Sequence, residues 1–115
     1  MATIIKHKTN EDFFHELQYF EPDDLTPIDI TNIDIWVKIE DENGVEIASY
    51  ENVGNVAAGI IKTEATSGKY TIETAKETAK LWPIGNHYAD ISYKDVKHVS
   101  TDDFILKVSK GRANV

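Results

Sequence analysis

The chain has 115 residues, 41% of them hydrophobic, and its 20 acidic side chains against 12 basic ones give a formal net charge of −8. That length holds one domain with enough core to fold alone, and four Phe, five Tyr and two Trp supply large groups to fill it. The acidic balance argues against nucleic acid, whose phosphates are held by clustered Lys and Arg, and the lack of Cys excludes a disulfide framework, a thiol nucleophile and a thiolate metal site.

Residues 1–11 turn polar after Ile5 and read as an N-terminal arm or edge strand. They lack the long apolar segment and small-residue cleavage site of a signal peptide, and no run approaches the length that crosses a bilayer, so a soluble protein made in a cytoplasm is expected. Asp12 to Phe20 predicts the first strand, with Phe13, His15, Leu17 and Tyr19 on one face and Phe14, Glu16, Gln18 and Phe20 on the other. Glu21-Pro22-Asp23-Asp24 breaks it, and Leu25 to Asn32 follows as an extended connector. Pro27 cannot donate a ladder hydrogen bond, which puts this connector at a sheet edge or outside the sheet.

Ile33 to Glu40 alternates most cleanly: Ile33, Ile35, Val37 and Ile39 point one way, Asp34, Trp36, Lys38 and Glu40 the other. Asp41-Glu42-Asn43-Gly44 predicts a hairpin, and Val45 to Tyr50 its return strand. A weak segment of small residues between Gly54 and Gly59 precedes a strand over Ile60 to Ala65. Ser67-Gly68 turns the chain into Lys69 to Thr74, with Tyr70 and Ile72 inward. Ala75 to Leu81 is the one helical stretch, two turns at most, and Pro83 must end it by biasing Trp82 towards extended geometry. After a Gly85-Asn86 turn, a strand places His87, Ala89, Ile91 and Tyr93 on one face and Tyr88, Asp90 and Ser92 on the other. The acidic Asp102 and Asp103 read as a turn before a last strand over Asp103 to Ser109, with Phe104, Leu106 and Val108 inward, and residues 111–115 form a tail. About seven short strands with turn signals every 8–12 residues or so predict an all-β, antiparallel, Ig-like β-sandwich over residues 12–110. A five-stranded barrel with one small helix uses the same local signals.

Chemistry is hard to find. His7, His15, His87 and His98 show no metal-ligand spacing; His15 and His87 read as partly buried rings with backbone partners. His98 and Ser100 lie two apart, with no visible acid partner. Asp41 to Gly44 fails as a calcium loop, because counting back from Gly44 puts Ile39 at its first position. Asp23, Asp24 and Asp29 read as solvated turn acids, a surface cation being the other option. There is no Gly-rich phosphate loop and no nucleophile elbow. An enzyme is not expected, nor any cofactor or metal. Trp36, by contrast, stands among charged residues, and Phe14 and Phe20 stand beside Glu16 and Gln18; exposed aromatics of this kind anchor interfaces. Together with Tyr88 and Trp82 they are the candidate interface residues.

Asp24-Leu25-Thr26-Pro27-Ile28-Asp29-Ile30-Thr31-Asn32, the strand after it and the Asn43-Gly44 hairpin resemble the opening of small bacteriophage virion Ig-like domains. Gly68-Lys69-Tyr70-Thr71-Ile72, Glu77-Thr78-Ala79, the Trp82-Pro83 corner and Gly85 through Ile91 continue the likeness, which is similar to the N-terminal domain of phage baseplate upper proteins and spans residues 11–110. Leu25 and Asn32 stand where that pattern has Gly, and His87 and Ala89 where it has aromatics. The resemblance implies a non-catalytic virion structural protein, a tail, baseplate or neck adaptor in several symmetric copies that docks subunits such as fibres. Other virion proteins are then its partners, with no nucleic acid and no membrane. Two alternatives stand beside it: a head decoration protein, and a sugar-binding module in which Trp36, Trp82 and Tyr88 form an aromatic platform.

Overall fold

The computed structural model describes residues 3–23 and 25–111. Its strands are β1 (Thr3–Lys8), β2 (Phe13–Gln18), β3 (Asp34–Glu40), β4 (Glu46–Val53), β5 (Val56–Ala58), β6 (Ile60–Glu64), β7 (Lys69–Thr74), β8 (Gly85–Lys94) and β9 (Val99–Ser109). Six make one sheet in the order β1-β9-β8-β3-β4-β5, and three make a second in the order β2-β7-β6. The result is an all-β, Ig-like sandwich, antiparallel throughout except where β1 runs parallel to β9.

Period-two burial builds it. Ile35, Val37 and Ile39 of β3, Ala89, Ile91 and Tyr93 of β8, and Phe104, Leu106 and Val108 of β9 face inward from the large sheet. Phe13, Tyr70, Ile72 and Ile60 meet them from the small one. Each large apolar side chain buried here stabilises the fold by about 1.5–3 kcal/mol over exposure.

The first residues form β1, an edge strand of the large sheet, with Ile5 and His7 buried. Three details differ from the sequence reading. The small-residue segment carries β5, three exposed residues too short to show a period. Strand β4 runs on to Val53, and β9 begins at Val99, so Asp102 and Asp103 lie in a strand and not in a turn. The helix shrinks to one turn, α1 (Lys76–Ala79), whose first amide donates to Asp12 Oδ1 at 2.6 Å. The Arg112–Val115 part of the expected tail lies outside the described residues, as does Asp24.

The connector from Phe20 to Ile33 lies outside both sheets and folds back on itself, Phe20 bridging to Pro27 and the Glu21 amide donating to the Thr26 carbonyl. Asp23 Oδ1 accepts from the amides of Leu25 and Thr26, and Asp29 Oδ1 accepts from both the amide and the hydroxyl of Thr31. Ile30 drops into the core, its amide donating to the Ala65 carbonyl at 2.8 Å. Gly68 closes this end with φ at 75°, where a Cβ would stand 2.6 Å from the Ile28 carbonyl oxygen. Only glycine fits there.

Candidate functional site

The two flanks of the sandwich are built differently. On one flank the chain itself passes from the large sheet to the small one between β5 and β6. Gly59 at the crossing bridges to Glu51, and its carbonyl accepts from Glu73 at 3.0 Å. Asn52, buried, donates Nδ2 to the Ile60 carbonyl at 3.0 Å. That flank is stitched shut.

On the other flank, among the described residues, β1 covers Phe104–Ser109 of β9 and β2 pairs with β7 alone. Val99–Asp103 is paired with β8 on one side and, among the described residues, has no strand on the other. A hollow of about 480 Å³ opens there between the sheets, walled by Leu17, Phe20, Ile91 and Phe104, with Asp102 and Asp103 at its rim. A second, of about 530 Å³, continues it towards Glu21, His98 and Ser100.

Aromatic rings with polar tips line the inside of this flank. Tyr19 stacks on Tyr93 with ring centres 3.7 Å apart, and its hydroxyl hydrogen-bonds the Ser100 hydroxyl. The Tyr70 and Tyr93 hydroxyls share a bond of 2.6 Å. Burial pushes both phenols well above their ordinary range, so they stay neutral at any working pH. Sequence periodicity places Tyr19, Tyr70 and Tyr93 inward; it does not show that strands 51 and 23 residues apart bring them together. The sequence reading sets Ser100 in a loop and Asp102 in a turn because their stretch is polar; pairing with β8 makes both part of β9.

The five candidate interface residues scatter. Phe14 is 63% exposed on the outer face of β2, opposite Glu73. Phe20, expected beside it, leaves the strand after Gln18 and lines the hollow, half-buried. Tyr88 is half-exposed on the outer face of the large sheet, in register with Ile105, which faces Ile4 in turn. Trp36 is half-buried on that same face, between Glu51 and Ser92. A charged row, Lys38–Asp90–Asp103, separates it from Tyr88, and four residues along a strand put the two about 13 Å apart. Trp82 is a correction: it is 5% exposed, its ring packed on His7 and Phe13 at 5.4 and 5.3 Å. The corner after α1 drives it into the core because Pro83 stops the helix there. It offers no interface surface, and the three-ring sugar platform does not form.

The histidines divide similarly. His87 is buried, Nε2 2.6 Å from the Pro83 carbonyl, so its partner is backbone as expected. His7 is buried against Phe13 and Trp82, and desolvation lowers its pKa, as it does for half-buried His15. His98 has the acid neighbour that the sequence did not reveal, Asp95 Oδ1 at 3.7 Å. That loop is exposed and Ser100 is bonded to Tyr19, so the three make no nucleophilic relay. Asp23 and Asp29, weighed as cation ligands, spend their carboxylates on neighbouring amides and hydroxyls, which hold both below the usual carboxylate range. Among the described residues no group of three or more His, Asp or Glu is placed to hold a metal ion.

No family model matches the sequence, and no curated protein matches it. Among solved structures, the chain is similar to an endo-beta-1,4-mannanase from Thermotoga petrophila, at 16% identity and a TM-score of 0.56. That match covers 96% of this chain and 18% of the mannanase chain. It also matches AggA, the major subunit of aggregative adherence fimbriae type I from Escherichia coli, at 10% identity and a TM-score of 0.42, over 94% of this chain and 91% of that one. At such identity the mannanase likeness shows a shared fold and carries no activity with it.

Proposed function

We propose that the chain is a non-catalytic structural adaptor of a bacteriophage particle, a tail, baseplate or neck domain that holds other subunits and is present in several symmetric copies. The observation that carries the adaptor part is the open flank: a strand edge left unpaired beside an apolar hollow is a surface for protein docking, and no chemistry gathers there. The particle part is supported by the ordered run of residues that resembles virion Ig-like domains. Those residues are structural in this fold. Asp29 and Thr31 shape the connector, Gly68 closes an end, and the Trp82-Pro83 corner fills the core.

Quantitative mass spectrometry of purified particles from the source strain tests the reading. Tens of copies or fewer per particle are expected. Hundreds would favour the head decoration alternative, and absence from particles would end both. A sugar-binding module is the weaker reading, since its platform lost Trp82 to the core; calorimetric titration with manno-oligosaccharides should show no heat.

A further inference from the structure

We propose that the free edge of β9, Val99–Asp103, takes an extended basic segment of a partner protein, which adds to the large sheet in line with β1 and sets a Lys or Arg against Asp102 or Asp103. This deepens the adaptor reading by naming the surface and the chemistry of its partner. The two fail separately, because particle content says nothing about this edge and a silent edge says nothing about particle content.

Three observations converge on it. Among the described residues, the backbone of Val99–Asp103 is paired on the β8 side alone, so one row of its polar groups is available to a strand. One of those groups is provisionally occupied: the Asp103 amide donates to the Asp102 carboxylate at 2.8 Å. An incoming carbonyl that takes over this amide releases the carboxylate for a cation. The third is charge. Asp102 shares the inward parity of Phe104, whereas Asp103 shares the outward parity of Ile105, so the edge shows one acid on each face. Of the groups lining the two hollows, Glu21 adds a third carboxylate, and none is Lys or Arg. An alternating strand therefore meets a carboxylate in either register. The apolar wall of Leu17, Phe20 and Phe104 suits the methylene stem of a lysine or arginine that ends on Asp102. Neutral or acidic strands leave these acids uncompensated, which gives the edge its selectivity.

The probe is a synthetic hexapeptide alternating threonine and lysine, titrated at low salt into the full-length ¹⁵N-labelled chain. The controls are the same peptide with glutamate for lysine and the lysine peptide with N-methylated backbone amides. The lysine peptide should move the amide signals of Ser100–Asp103 and slow their hydrogen exchange. Asp102→Asn with Asp103→Asn should weaken it at least fivefold while leaving the spectrum of the free protein otherwise intact. The glutamate and N-methylated peptides should bind at least tenfold more weakly. Equal binding by the glutamate peptide overturns the charge argument, and equal binding by the N-methylated one overturns strand addition. Shifts centred on β5 or β6, or none at millimolar peptide, reject the site. Concentration-dependent broadening of the same amides without peptide assigns the edge to a second copy instead.

Discussion

The two flanks of this sandwich close by different means. At Gly59 the covalent chain carries one sheet into the other, and the neighbouring Asn52 ties the crossing with a buried amide. At β9 and β2 the facing strands come from opposite parts of the sequence, nothing covalent links them, and β1 reaches only half the edge. On the first flank one hydroxyl pair, Tyr50 with Thr74, and the Asn52 amide reinforce that covalent crossing. On the second, Tyr19, Tyr70, Tyr93 and Ser100 join the sheets with hydroxyl bonds that remain compatible with nearby water. A local connection seals; a long-range meeting leaves a seam.

The sharpest way to break that contrast is at Gly59. It holds φ at 86°, and a Cβ there would stand 2.5 Å from Tyr50 Cδ1. Gly59→Ala should destabilise the protein by about 3 kcal/mol through overpacking and backbone strain, measured by urea unfolding. A loss under about 0.5 kcal/mol would mean the crossing is loose. On the other flank, Tyr19→Leu removes one ring of the stacked pair and the partner of Ser100; about 1 kcal/mol is expected from the same measurement.

Acid should separate the flanks next. β1 and β2 each carry a histidine with a depressed pKa, His7 and His15, while β4, β5 and β6 carry none. Desolvation disfavours the imidazolium in the folded state, so the unfolded chain binds protons first. Stability is full above the unfolded value of 6.5 and declines as pH falls from there towards the lowered folded values. Protection from hydrogen exchange, taken relative to the intrinsic rate at each pH from 7 to 5, should therefore fall in β1 and β2 before β4 to β6, and His7→Leu should flatten that response. A second loss should begin below the ordinary carboxylate value of 3.8, where Asp23, Asp29 and Asp95 give up the amide bonds that lower them. The smallest effect belongs to Phe14→Ser, within about 0.5 kcal/mol because the ring is already solvated; a larger loss would show that the outer face of β2 is packed in solution.

How much of this was legible follows from the same contrast. Alternation in Ile33–Ile39, His87–Tyr93 and Phe104–Val108 announced the inward faces correctly, since a sheet buried on one side imposes that period on its sequence. The seam was not legible. Val99, Ser100, Thr101 and Asp102 have the composition of a turn, and only pairing with β8 makes them a strand. Trp82 departs from expectation for a related reason: near a proline corner, side-chain direction is set by where the chain turns, which periodicity does not describe.

The parallel pairing of β1 with β9 sets Thr3 beside Phe104 and Lys8 beside Ser109. Among the described strands, then, β1 is made before all the others and its strand neighbour β9 after them. Contacts of such wide sequence separation form slowly, so the backbone of β1 waits for its ladder while the strands between are made. Nascent-chain force or protease measurements should find β1 docking only once β9 has emerged.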